Sequence, residues 1–537
     1  MRRLHTLSAV ALTLGLVAAA CGSDNDAPAA ELDAPAAESD APAAESDAPA
    51  AEPGESDDAS TDVEPVRLVV GTDAEPTTLD IMAIDDNGLH LSTWSINEPL
   101  VDIGNDGEIQ LFLAAEVPAL DPDDPTRWIV KLVEGVSFTD GAPFNAEAVK
   151  ANVDRVLDPD YTTTVVGELG GLSGVEVIDD YNLVITTEKP NPGLLVALRK
   201  LRFQSPNAFE GVEENPIGTG PYTLVEWQRG QSVTLAANAN FAGDPKPTID
   251  EVEIRFIPDT NTRVSAFEAG EIDVLVGPPD TQLAQFDNVV STGGGEVGAS
   301  RLDTKAAPFS DVRFRQALNY ALDKQTIVDA LFGGAFPVSE CQVTSPGALG
   351  YNDSLTAYPY DPDKAMELLA EVDIPDGFVL DFFGSSAVYG TDREVQEAMA
   401  SYWNAVGIET NLMFDEIDAY LDNIFNPELG FVYAESDQAF NSFARQIGLF
   451  YQRGGPVTAF DEELQTRLDP LVETALTSLD EAEREGAMFE LAKIGCDEAL
   501  FVFNFIRQDV GVIADGIELI SSFGQFEKTY WNNVSMS

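Results

Sequence analysis

The stretch from Pro216 to Leu275, PIGTGPYTLVEWQRGQSVTLAANANFAGDPKPTIDEVEIRFIPDTNTRVSAFEAGEIDVL, constrains the fold more than any other part of the chain. It opens on Gly218-Thr219-Gly220-Pro221, a turn in which glycine can supply a positive φ and proline fixes the φ that follows. Two alternating runs, YTLVEW and SVTLAAN, flank Arg229-Gly230 and predict a hairpin. EVEIRFI is a third strand pattern, closed by Pro258. TNTRVSAFEAG reads as a short helix capped by Thr260 or Asn261 and stopped by Gly270, and EIDVLV as one more strand.

A chain of 537 residues exceeds what one core can hold, because single cores stop growing near roughly 250–300 residues, so more than one domain is expected. The charge is strongly one-sided, with 93 Asp and Glu against 29 Lys and Arg. Such a field repels nucleic acid and anionic lipid. It reads as an acidic, solvated surface.

The amino terminus pairs Arg2-Arg3 with the apolar run LSAVALTLGLVAAA, which has the length of a signal peptide and is too short to span a bilayer. Ala18-Ala19-Ala20-Cys21-Gly22 resembles the lipobox of bacterial lipoproteins, in which the cysteine becomes the lipidated first residue; Ala18 departs from the usual Leu. An ordinary secretory signal is the alternative. Residues 22–65 carry no Lys or Arg and repeat DAPAAE from Asp26, Asp33, Asp40 and Asp47. A proline in every repeat and the lack of a large apolar pair exclude a coiled coil. The segment is expected to be a disordered tether, reaching roughly 35 Å as a coil and about 140 Å fully extended. Beyond Cys21 only Cys341 and Cys496 remain, too few for a disulfide scaffold or a zinc site. In an exported chain they most simply pair; two separate buried thiols are the alternative.

Further signals continue along the chain. Val66–Val70 and Trp128–Val133 read as strands, as does the run 175–188. Asn145 is placed to cap a helix with Val149, Val153 and Val156 on one face. Ser310 and Asp323 are expected caps for two helices, the second stopped by Gly333-Gly334. Asp361-Pro362 starts another. Thr391 and Glu394 form a capping-box pattern for a helix ended by Gly407, on which Val395, Met399, Tyr402 and Val406 recur at helical spacing, so Tyr402 and Trp403 read as core.

Three phrases, 68–80 with its TLD, 216–275, and 307–334 (APFSDVRFRQALNYALDKQTIVDALFGG, from Ala307), resemble in order the family 5 extracytoplasmic solute-binding proteins of ABC importers, the peptide, nickel and opine receptors. Glu98-Pro99-Leu100 and GVSFTDGAPF, from Gly135, are similar to further phrases of that family. The resemblance covers nearly all of 66–537. It implies an α/β, two-lobed fold of the periplasmic-binding-protein type (class II), with an extra subdomain at about 111–214. Lobe I would span 66–305 and lobe II 306–500, with 501–537 returning to lobe I. It also implies a monomeric receptor on the outer face of the cytoplasmic membrane, held by a lipid on Cys21. That receptor would take an oligopeptide or similar solute between its lobes and hand it to an ABC permease, without a cofactor. An oligosaccharide, an opine or a metal chelate is the alternative solute, and a secreted hydrolase the alternative class.

The residues themselves offer no catalytic constellation. Gly293–Gly298 fits G-x-G-x-x-G but lacks the strand–turn–helix frame of a dinucleotide site. Asp102–Gly107 is half a calcium loop with Leu113 where Glu belongs. His5 goes with the signal, leaving His90 alone, so a histidine metal site or a Ser-His-Asp triad is not expected. In peptide-binding members of the family an aspartate in lobe II pairs with the peptide amine. The matching stretch, Phe431–Phe440, implies Asp437 in that role with Tyr433 beside it, although the family's prolines are absent. Arg445 can take a carboxylate through two parallel bonds, and Trp94 can supply an apolar wall.

Overall fold

The computed structural model describes residues 65–84, 86–104, 108–291, 295–385, 391–424, 426, 431–435, 443–455, 457–519 and 528–537. Cys21, the tether at 22–64 and Asp437 lie outside them.

Two sheets organise the described residues. The first has seven strands in the order Val289–Ser291, Val510–Ile513, Val274–Val276, Arg67–Thr72, Glu251–Phe256, Ser232–Ala237 and Tyr222–Gln228. The predicted hairpin is present, with Leu224 opposite Leu235 and Gly230 at a φ of 73° between the strands. The second sheet has five strands, Thr410–Asp415, Leu380–Ser385, Phe431–Glu435, Glu296–Leu302 and Phe501–Arg507. An apolar cluster lies on each side of it. Ala299, Phe501 and Phe503 face the helices Glu462–Thr477 and Glu481–Asp497. Leu302 and Val502 face Val312–Tyr320 and Asp392–Ala405. Trp403 is fully buried in the latter cluster, and its Nε1 donates to Leu318 O at 2.9 Å, so the indole is core as its spacing predicts.

A four-stranded antiparallel sheet, Ala119–Asp121, Asp124–Lys131, Asn182–Thr187 and Leu172–Val177, forms the subdomain. The helix Ala146–Leu157 packs on it through Val149, Val153 and Val156. Asn145 caps that helix, accepting from Ala148 N at 3.0 Å.

The chain changes sheet at 291–296 and again at 507–510, so Glu296–Leu302 and Phe501–Arg507 both pair in the second sheet instead of belonging to lobe I as expected. The two crossings run side by side: Glu296 opposes Arg507, and Val290 opposes Gly511. Gly295, at a φ of 146°, lets them approach, since a Cβ there would lie 2.6 Å from Arg507 O. Arg507 pairs with Asp280 and lies 3.9 Å from Asp392.

Several local expectations need correction. Gly218 and Gly220 are not at positive φ. Both are required by close approach, because a Cβ on either would land on the carbonyl oxygens of Ile96 or Ser95. The helix Thr260–Glu268 is capped by Asp259, which accepts from Thr262 N, and Val312–Tyr320 by Asp311, not Ser310. Thr391 makes no cap bond; its hydroxyl donates instead to Asp280 Oδ2 at 3.2 Å. Asp323, Gly333 and Asp361-Pro362 act as expected.

Candidate functional site

The carboxyl ends of parallel strands are where ligands gather in open α/β sheets. In the first sheet Arg67–Thr72 runs parallel to both Glu251–Phe256 and Val274–Val276. In the second, Leu380–Ser385 runs parallel to Thr410–Asp415 and to Phe431–Glu435. Tyr433 sits in the last of these strands opposite Ser300, and Arg445 falls on the helix Phe443–Phe450; nothing further is described of either side chain. Asp437 is outside the described residues.

Trp94 lies at the C-terminal cap of the helix Asn87–Thr93 and is 2% exposed, a core position rather than an open wall. Its ring takes the Arg202 guanidinium at 3.1 Å from ring centre, with His90 at 5.0 Å, Tyr530 at 6.3 Å and Lys528 Nζ at 5.7 Å. Around it is a charge network that sequence reasoning missed. Asp102 is fully buried and accepts from Arg199 Nε at 3.0 Å and from Arg202 Nη2 at 2.9 Å. Arg202 also donates to Asn97 O at 2.7 Å and to Tyr530 Oη at 2.9 Å. These contacts join the strand Val101–Ile103, the segment 199–204 and the carboxyl-terminal residues.

Glu98 stands at the edge of the network. Burial pushes its carboxyl up to about 7; the Thr219 hydroxyl and the Arg202 charge lower it without cancelling the effect. Burial likewise pushes the Tyr530 hydroxyl well above its ordinary value. Glu98, Phe112, Phe241, Asp244, Tyr530 and Asn532 line a cavity of about 230 Å³ whose walls all come from lobe I. Phe112 stacks on Tyr530 at 5.0 Å.

The network sits directly behind a contact between the lobes. Ile103, next to Asp102, and Val196, on the helix that ends at Arg199, pack against Ala348 of the second lobe. The site therefore offers fixed buried charge, aromatic faces and a carboxyl that exchanges its proton near neutral pH. The sequence signal for it was the run LLVALRKLRF, where Arg199, Lys200 and Arg202 interrupt an apolar stretch in a chain of net charge −64.

Two lobes joined by two adjacent crossings give the two-lobed fold of the periplasmic-binding-protein type. The family model for bacterial extracellular solute-binding proteins, family 5 (middle), matches residues 109–445, and the chain belongs to that family. Heme-binding protein A of Haemophilus influenzae is 30% identical over 330 residues, which cover 54% of this chain and 59% of that protein. The match thus spans less than two thirds of that relative's length. Glutathione-binding protein GsiB of Salmonella typhi is 29% identical over 357 residues, 64% of this chain and 69% of that protein. Among solved structures, NikA from Brucella suis in complex with Fe(III)-EDTA superposes with a TM-score of 0.75 at 23% identity, covering 88% of this chain and 100% of that one. DppA from Helicobacter pylori in complex with the peptide STSA gives 0.64 at 22% identity, with 88% and 98% covered. Both share the two-lobed fold.

Proposed function

We propose that the protein captures an oligopeptide or similar solute between its lobes and delivers it to an ABC permease. The single observation that supports this best is the second sheet, whose three parallel strands end together at Ser385, Asp415 and Glu435. Asp437 follows Glu435 by two positions in the sequence, and ligands of open α/β sheets gather at such strand ends. In this reading Asp437 takes the peptide ammonium, Arg445 its carboxylate, and Tyr433 supplies apolar surface, while Trp94, being core, takes no part. Closing the lobes excludes water and strengthens the ion pairs. The chain works as a monomer, lipidated at Cys21 and lifted from the membrane by the tether at 22–65. The Cys341–Cys496 bond, with its Cα atoms 4.9 Å apart, ties the loop before Ala348 to the late helix Glu481–Asp497.

Asp437→Asn tests the amine site. Calorimetry with short peptides should show binding weakened by about 1.5–3 kcal/mol, the range for a hydrogen bond to a charged group. Unchanged affinity would move the amine site elsewhere. The second reading is a non-peptide solute, favoured by the heme-binding relative and by the Fe(III)-EDTA carried by the NikA structure. Absence of peptide binding by the wild type would select it.

A further inference from the structure

Among the described residues, one buried lysine of the second lobe has no hydrogen-bond or ion-pair partner. Lys324 opens the helix Lys324–Phe332 and is 5% exposed, and its Nζ makes no hydrogen bond among the described residues. Asn504, on the strand Phe501–Arg507, is 3% exposed, and neither atom of its side-chain amide has a partner. Both residues line one small cavity with Leu322, Ile327, Val395 and Met399. The cavity measures about 10 Å³, room for a single water-sized or monatomic occupant.

Two residues with unsatisfied polar atoms thus line one space that holds one small particle. An unpartnered buried amide costs roughly 1–3 kcal/mol and an unpaired buried ion several more, so an empty cavity is the least favourable arrangement. The aromatic face of Tyr358, 5.9 Å from Nζ, is the one ring that approaches the ammonium among the described residues. The nearest carboxylate in sequence, Asp323, is committed to Thr326 N at 3.1 Å and to the Thr326 hydroxyl at 2.8 Å. A cation in the first helical turn also faces the positive end of the helix dipole. A water would satisfy hydrogen bonds here but leave the charge uncompensated. A monovalent anion accepts from the ammonium and from an amide Nδ2–H, and it neutralises the site.

We propose that this cavity is a binding site for a small monovalent anion, a halide such as chloride, held between Lys324 Nζ and the Asn504 amide. The site is separate from the Asp102–Arg202 network: its walls come from the segment around Lys324, the helix Asp392–Ala405 and the strand Phe501–Arg507. Burial pushes the Lys324 ammonium down to about 7 when nothing pairs with it, and a bound anion returns it to the charged form.

The test is diffraction from crystals of the full chain soaked in sodium bromide, read through the anomalous signal of bromine. The expected result is an anomalous peak within hydrogen-bonding reach of Lys324 Nζ. In solution, sodium bromide should raise Tm saturably where sodium gluconate of equal ionic strength does not. Asn504→Asp places a fixed carboxylate beside the ammonium; it should abolish both the peak and the halide-specific rise while the chain still folds. Lys324→Met should do the same. Density for a water alone, no anomalous peak in the wild type, or a halide-specific rise that survives Asn504→Asp would overturn the proposal.

Discussion

Replacing Glu98 by Gln isolates the least ordinary carboxyl beside the buried charge network. Glutamine keeps the shape and can meet the Thr219 hydroxyl, but it cannot ionise. In the folded protein the Glu98 carboxyl titrates at about 7 against an ordinary 4.5, because burial disfavours its charge. Between those values the unfolded chain has released the proton and the folded chain still holds it. The unfolded state therefore binds fewer protons, and stability falls as pH rises through that window. The displacement from 4.5 to about 7 corresponds to about 3.5 kcal/mol at roughly 1.4 kcal/mol per pH unit. All other titrating groups are common to both proteins and cancel in the difference. Urea denaturation of wild type and Glu98→Gln at closely spaced pH values between 4 and 8 reads it directly. The variant should gain about 3.5 kcal/mol on the wild type as pH rises through the window, with no further change above it. A difference that is flat with pH, or one that grows as pH falls, would refute the assignment of a buried, proton-holding Glu98.

Asp102→Asn leaves Arg199 and Arg202 buried without their shared carboxylate and should destabilise the chain by about 3–5 kcal/mol, measured as a drop in the denaturation midpoint. Cys341→Ser opens a loop of 155 residues and should cost roughly 3–5 kcal/mol in the same assay, and reductant should lower the wild-type midpoint by a like amount. Cys21→Ser should release the protein from membranes into the medium of the producing cell. Continued membrane association, followed by immunoblotting of the fractions, would point to another anchor.

What could be read from the sequence was what neighbours in the chain decide. Asn145, Asp323, Gly333 and Asp361-Pro362 work within one turn of themselves, and the Arg229-Gly230 hairpin closes over a few residues. The Gly218-Thr-Gly-Pro221 turn was recognised but for the wrong cause: its glycines answer to Ser95 and Ile96, more than 120 positions away. Thr391 fits a capping box locally yet bonds Asp280, and Phe501–Arg507 joins the second sheet through a strand some 200 residues earlier. The buried charge network is the extreme case. Asp102, Arg199, Arg202 and Tyr530 meet across separations of 97 to 428 residues, which no periodicity records. Only the oddity of three cations in an apolar run marked the place.

Native mass spectrometry of the gently isolated protein distinguishes a peptide receptor from its alternatives. The expected result is a one-to-one complex with a small solute of peptide composition, whose mass does not change while it stays with the protein. A solute converted to smaller products during incubation would contradict a receptor, and a bound solute of non-peptide composition would contradict the peptide assignment.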